Sequence, residues 1–207
     1  MSAATAVPRP LRLGVFGGAF DPPHMAHRAL VEAALQQLRL DALRVFPTGQ
    51  AWHKTRTLSP AQHRVAMAEL AFDDLPDVRV DARETMRSGP SYTVDTLREL
   101  QAEYPDATLF LIIGRDQAAA LHTWHAWEAV VQAAIICVAS RANSTGATPR
   151  FVPPSGLEQR FLQLGFPVLP VSATDIRSRA ATGQSIAPLV GPAVARYIAA
   201  HHLYQSA

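Results

Sequence analysis

Short apolar runs alternate with longer amphipathic stretches along this chain. Leu11 to Phe16 is a nearly unbroken apolar run ended by Gly17-Gly18, which predicts a buried strand and a turn. From Met25 to Leu38 the residues Leu30, Val31, Ala34, Leu35 and Leu38 recur at helical spacing. Ala42 to Phe46 predicts the second strand. Pro60 to Phe72 predicts a helix with Ser59 as its N-cap and Pro60 at its first position. The same reading gives a short strand at Val78 to Val80, a helix at Thr93 to Glu103 and a strand at Thr108 to Ile113. A helix at Trp127 to Gln132 and a buried strand at Ala134 to Ala139 follow. Ser140 to Gly156, rich in turn-forming residues, predicts an exposed loop. Beyond it come a helix from Leu157, a short strand at Val168 to Leu169 and two closing helices.

Near-continuous apolar strands separated by helices require a parallel sheet covered on both faces. The expected fold is therefore α/β, a Rossmann-like doubly wound parallel sheet with helices on both faces. Ligands are expected at the carboxyl ends of the strands, where strand order reverses. No internal repeat or second core is visible, so residues 11–207 are expected to form one domain behind a flexible tail, residues 1–10.

Composition narrows the class. With 207 residues and 48% hydrophobic content the chain can bury one sizeable core. A net charge of +2 suits anionic small substrates but is too weak and dispersed to argue for nucleic acid. No window of about 18 apolar residues exists, so no membrane span is expected. The first ten residues lack the pattern of a signal peptide, and the expectation is a soluble cytoplasmic protein. The one cysteine, Cys137, lies in an apolar run and reads as a core thiol. Of the 19 basic residues only Lys54 is a lysine, which singles it out.

The densest chemistry lies in Phe16-Gly17-Gly18-Ala19-Phe20-Asp21-Pro22-Pro23-His24-Met25-Ala26-His27. Two glycines at a strand end let the backbone approach a bulky anion, and the helix that follows offers unpaired N–H groups and the positive end of its dipole. His24 and His27, three apart, face the same side and can donate to phosphate oxygens. An ordinary turn, a solvent-exposed histidine pair and a metal site are the competing readings. The string is neither G-x-G-x-x-G nor a P-loop, which disfavours dinucleotide oxidoreductases and P-loop NTPases. It resembles the G-G-[ST]-F-D-P-x-H-x-G-H signature of the nucleotidyltransferase α/β-phosphodiesterase superfamily, with Ala19 in place of the hydroxyl residue and Ala26 in place of a glycine.

Late in the chain, Val171-Ser172-Ala173-Thr174-Asp175-Ile176-Arg177 opens a helix, with Ser172 or Thr174 available as N-cap. Backbone N–H groups, hydroxyls and a guanidinium together can clasp an anion. This segment resembles the I-S-[ST]-T-x-[IV]-R motif that the same superfamily uses for the phosphates of ATP.

Middle segments resemble bacterial nicotinate-nucleotide adenylyltransferases. Pro47 to Lys54 is similar to their P-x-x-x-P-x-H-[KR] stretch without its second proline, and Ser88 to Leu97 to their P-S-Y-T-x-x-T-L segment. Leu111 to Asp116 resembles their I-I-G-x-D, and Leu121 to Trp127 their tryptophan-centred segment.

The resemblance implies the HUP-type nucleotidyltransferase fold and adenylyl transfer from ATP to nicotinate mononucleotide. Nicotinamide mononucleotide, another phosphorylated acceptor, or a non-catalytic dinucleotide sensor are the alternatives. It implies that ATP meets Gly17, Gly18, Ala19, Phe20, His24, His27, Gly114, Asp116, Ser172, Thr174, Ile176 and Arg177. Of these, His24, His27 and Arg177 are the catalytic set. Lys54, Thr93, Trp124 and His125 would hold the mononucleotide, with Trp124 stacked on the pyridinium ring and Trp127 in the core. Mg2+ would arrive on the ATP phosphates, with Asp116 reaching it through water and no dedicated protein metal site.

Overall fold

The computed structural model describes residues 9–49, 57–141, 151–167 and 169–205. Six strands form one parallel sheet: β1 (Arg12–Gly18), β2 (Ala42–Pro47), β3 (Val78–Val80), β4 (Thr108–Gly114), β5 (Ala134–Arg141) and β6 (Phe161–Phe166). Their order is β3-β2-β1-β4-β5-β6. The chain thus winds outward from β1 on one side, then returns to lay β4 on the other. The carboxyl ends of β1 and β4 diverge into a crevice, the place where such sheets bind ligands.

Period-2 alternation splits the strand residues between two cores. Leu13, Val15, Phe46, Leu109, Leu111, Ile113, Ile136 and Val138 face helices α4 (Thr93–Glu103), α5 (Arg115–Ala119) and α6 (Trp127–Ala133). Leu43, Val45, Phe110, Ile112 and Cys137 face α1 (Met25–Gln37) and α2 (Ala61–Phe72). A third cluster joins Met67 of α2 to Ile176, Ile186, Val190, Val194 and Ile198. Those residues belong to α7 (Ala173–Ala181), α8 (Ala187–Val190) and α9 (Pro192–Ala200) and the link before α8. Cys137 is fully buried, and burial pushes its thiol up to about 12.

Several expectations need correction. Pro60, not Ser59, is the N-cap residue of α2, and the Ser59 N–H instead donates to Asp21 Oδ2 at 3.2 Å. The helix expected from Leu157 is a single 3-10 turn, Glu158–Arg160, followed by β6. β6 is an edge strand whose burial does not alternate, and Leu162 is exposed, so its short apolar run carries no clear strand period. Leu169 is outside any strand, and Val168 lies outside the described residues. Ser140 and Arg141 extend β5 rather than opening the loop. Three short helices close the chain, not two. The short α3 (Arg83–Met86) and α5 were not expected.

Candidate active site

Two adjoining pockets open at the β1/β4 crevice. The first, about 130 Å³, lies over the carboxyl ends of β1 and β4 and is walled by Glu84, Tyr92, Thr93, Trp124 and His125. The second, about 460 Å³, is bounded by His24, His27, Gly114, Ala173, Thr174 and Arg177. Gly17, Gly18, Ala19 and Gln117 line both.

The paired glycines serve different ends. A Cβ built on Gly17 meets nothing within 4 Å, so the position opens freely onto the pockets. A Cβ on Gly18 would lie 2.9 Å from the Phe20 ring. Phe20 itself is 1% exposed and adopts a left-handed φ of 48°. Its ring packs edge-on against Phe16 and Phe72, so only its backbone can serve a ligand.

His24 is the N-cap residue of α1 and His27 its third residue. Their rings stack with centroids 3.7 Å apart, and His27 Nδ1 accepts from the His24 N–H at 3.2 Å. Nδ1 of His24 is buried without a hydrogen-bond partner among the described residues. Burial lowers the His24 pKa from 6.5 to about 4, so the ring is neutral at pH 7.

Across the second pocket, Ser172 is the N-cap of α7 and its Oγ accepts from the Asp175 N–H at 3.2 Å. Ile176 is fully buried in the third cluster and its N–H bonds to the Ser172 carbonyl at 3.1 Å. Ile176, expected to contact ATP, therefore does not line the pocket with either its side chain or its N–H. The N–H groups at the first two helical positions, Ala173 and Thr174, have no intrahelical acceptor and both residues line the pocket. Arg177 Nη1 donates to the Asp21 carbonyl at 2.8 Å and Nη2 to Thr174 Oγ1 at 3.2 Å. One guanidinium thus joins the early motif to the late one.

In the first pocket Tyr92 is the N-cap residue of α4 and Thr93 its first helical residue, with no side-chain capping bond. The Tyr92 and His125 rings lie 4.3 Å apart. Trp124 and Trp127 are both partly buried against the first core, but only Trp124 lines this pocket. Ala126, between them, holds a left-handed φ of 49° that turns the chain into α6.

Asp116 stands in the first turn of α5, is exposed, and lines neither pocket. The next residue, Gln117, lines both, and its Oε1 accepts from the Gly114 N–H at 3.0 Å. Lys54 lies outside the described residues. Among the described residues no group of three or more His, Cys, Asp or Glu could hold a metal, and no helix is long and apolar enough to cross a membrane.

Sequence reasoning also missed a buried polar frame. Glu84, 8% exposed, accepts from Thr96 Oγ1 at 2.8 Å, and burial raises its pKa. Thr96 in turn accepts from Arg87 Nη1 at 3.0 Å. Gly49 presses on this frame so closely that a Cβ would fall 2.1 Å from the Glu84 carbonyl oxygen. Arg64, 3% exposed, donates to the carbonyls of Ser59 and Ala19 at 2.9 and 3.0 Å. Its signal was available: a lone charge at helical spacing from the apolar Met67 and Ala68.

A parallel sheet whose switch-point crevice is flanked by a glycine turn, two histidines and an arginine-bearing helix start defines a nucleotide-handling α/β scaffold. The family model described as cytidylyltransferase-like matches residues 15–179. A relative from Albidiferax ferrireducens, named a probable nicotinate-nucleotide adenylyltransferase, is 64% identical over 95% of this chain and 99% of its own length. One of the same name from Methylibium petroleiphilum is 45% identical, covering 93% and 92%. A solved structure of Plasmodium falciparum nicotinic acid mononucleotide adenylyltransferase complexed with APC has the same fold, with a TM-score of 0.73 over 94% of this chain and 97% of that chain, at 17% identity. The chain belongs to the nicotinate-nucleotide adenylyltransferase family.

Proposed function

We infer that the protein transfers the adenylyl group of ATP to nicotinate mononucleotide, giving nicotinate adenine dinucleotide and pyrophosphate. This is a step of NAD biosynthesis. The observation that carries the assignment of parts is the 2.8 Å bond from Arg177 to the Asp21 carbonyl, which closes two distant motifs around one pocket beside a second. The larger pocket suits the triphosphate and the smaller, aromatic one suits the nicotinate.

The phosphate monoester of the mononucleotide is ionised at neutral pH and needs no general base. One of its oxygens attacks the α-phosphorus of ATP as the bond to the bridging oxygen of pyrophosphate breaks. The protein's part is alignment and charge neutralisation. Arg177 offsets the charge on the phosphates, and His24 and His27 donate hydrogen bonds to their oxygens. Gly17, Gly18 and Ala19 allow close backbone approach, and Ala173 and Thr174 add N–H donors. Neutral His24 donates from Nε2, since its buried Nδ1 faces no acceptor among the described residues. Thr93, Trp124 and His125 hold the nicotinate, where cation–π stacking on Trp124 contributes roughly 0.5–2 kcal/mol. Mg2+ would arrive already bound to the triphosphate, where it would spread phosphate charge. Asp116 could reach it only through water.

Pyrophosphate release with ATP and each pyridine mononucleotide in turn tests the reading. Turnover is expected with the acid, and its absence there would sink the assignment. His24→Ala should lose roughly 2.7–4 kcal/mol of transition-state stabilisation. An unchanged kcat in that variant removes His24 from the chemistry.

A further inference from the structure

Near its carboxyl end the chain returns to the site. After α9 the backbone turns through two left-handed non-glycine residues, His202 at φ 51° and Tyr204 at φ 66°. Such conformations are costly for residues with a Cβ and persist where the surroundings enforce them. Here the turn carries the Tyr204 phenol over Met67, at 3.9 Å from its Sδ, to Asp21 Oδ1 at 2.7 Å. Asp21 is 2% exposed, and its other carboxylate oxygen accepts from the Ser59 N–H. Its carbonyl is the acceptor for Arg177. One residue therefore gathers the first motif, the start of α2, the phosphate-side arginine and the end of the chain.

We propose that Tyr204 is a positioning residue for the triphosphate half of the site: its phenol satisfies the buried Asp21 carboxylate, and so leaves the Arg177 guanidinium on the Asp21 carbonyl and directed at the phosphates. A buried carboxylate robbed of a donor draws in the nearest cation, because an undercompensated charge in a low-dielectric setting is expensive. Arg64 also lies against this turn, where the carbonyls of Ser59 and Ala19 hold it; the cation on the pocket side is Arg177, held by the Asp21 carbonyl. Captured by the carboxylate, it would leave the phosphates. Burial, then the Asp21 hydrogen bond, raises the phenol's pKa, so Tyr204 stays a donor throughout the neutral range.

This inference rests on the phosphate-side reading of Arg177, and the experiment separates the two. Tyr204→Phe, Arg177→Lys and the double variant are compared for KM of ATP, KM of nicotinate mononucleotide, kcat and thermal midpoint. Tyr204→Phe keeps the ring against the third cluster and removes only the hydroxyl. It should raise KM for ATP, or lower kcat, by about tenfold while leaving KM for the mononucleotide within about twofold. In the Arg177→Lys background the same change should have almost no further effect, since both act through one guanidinium. Equal effects on both substrates, no effect at all, or full additivity with Arg177→Lys would overturn the positioning role and indicate plain packing. Wild-type kinetics in Arg177→Lys alone would instead overturn the phosphate-side reading, and this proposal with it.

Discussion

Gly17 and Gly18 are adjacent, yet the same substitution should fail in different ways at each. The Cβ of Gly17→Ala meets no protein atom, so thermal stability should be unchanged while KM for ATP rises, because the methyl projects into the space shared by the two pockets. Gly18→Ala drives its Cβ to 2.9 Å from a buried ring and should lower stability by about 1–3 kcal/mol. Calorimetry and steady-state kinetics on the pair check this, and equal melting temperatures would refute the distinction. His24 yields a pH dependence. Its folded pKa, about 4, is below the unfolded 6.5, so the unfolded chain takes up the proton first as pH falls. Stability is then unaffected by this residue above pH 6.5 and is lost between 6.5 and about 4, by about 3 kcal/mol in total. His24→Asn should flatten the denaturation midpoint across that window. An unchanged slope would mean the ring is not buried neutral.

At the scale of elements, α7 shows what could and could not be read from the sequence. Its hydroxyl-rich start was legible as an N-cap followed by anion-binding groups, and Ser172 does cap Asp175. What the string could not reveal is which N–H groups the helix itself consumes, and the Ile176 N–H is one of them. Ser172→Ala should cost about 1 kcal/mol of stability and raise KM for ATP, through loss of the cap that aims Ala173 and Thr174. A stability loss with unchanged KM would detach the helix start from the ligand. The helices and inner strands were legible because their apolar periods are long or continuous. β6 was not, because an edge strand half open to water has no such period. The short α3 and α5 were invisible for want of length, and with α3 went the buried Glu84–Thr96–Arg87 frame. Its members all lie within residues 84–96 but are ordinary in type.

For the molecule as a whole, the decisive fact is that the site straddles two packing units. The smaller pocket stands on the first core through α4, whereas the larger depends on the third cluster, which clamps α7, α8 and α9 to α2. Leu100 on α4 and Ile198 on α9 are both nearly inaccessible, at 0% and 3%, and neither lines either pocket. Truncating either to alanine should cost about 2–5 kcal/mol, since each leaves a cavity that its neighbours fill only in part. Their kinetic signatures should nevertheless diverge. Ile198→Ala loosens the layer that carries Arg177 and Tyr204, so KM for ATP should rise more than KM for the mononucleotide. Leu100→Ala loosens the helix that begins at Thr93, so the order should reverse. Measured well below both melting temperatures, the two ratios of KM values should move in opposite directions. If they move together, the two pockets share one mechanical support, and the division of the site between the sheet core and the carboxyl-terminal layer is wrong.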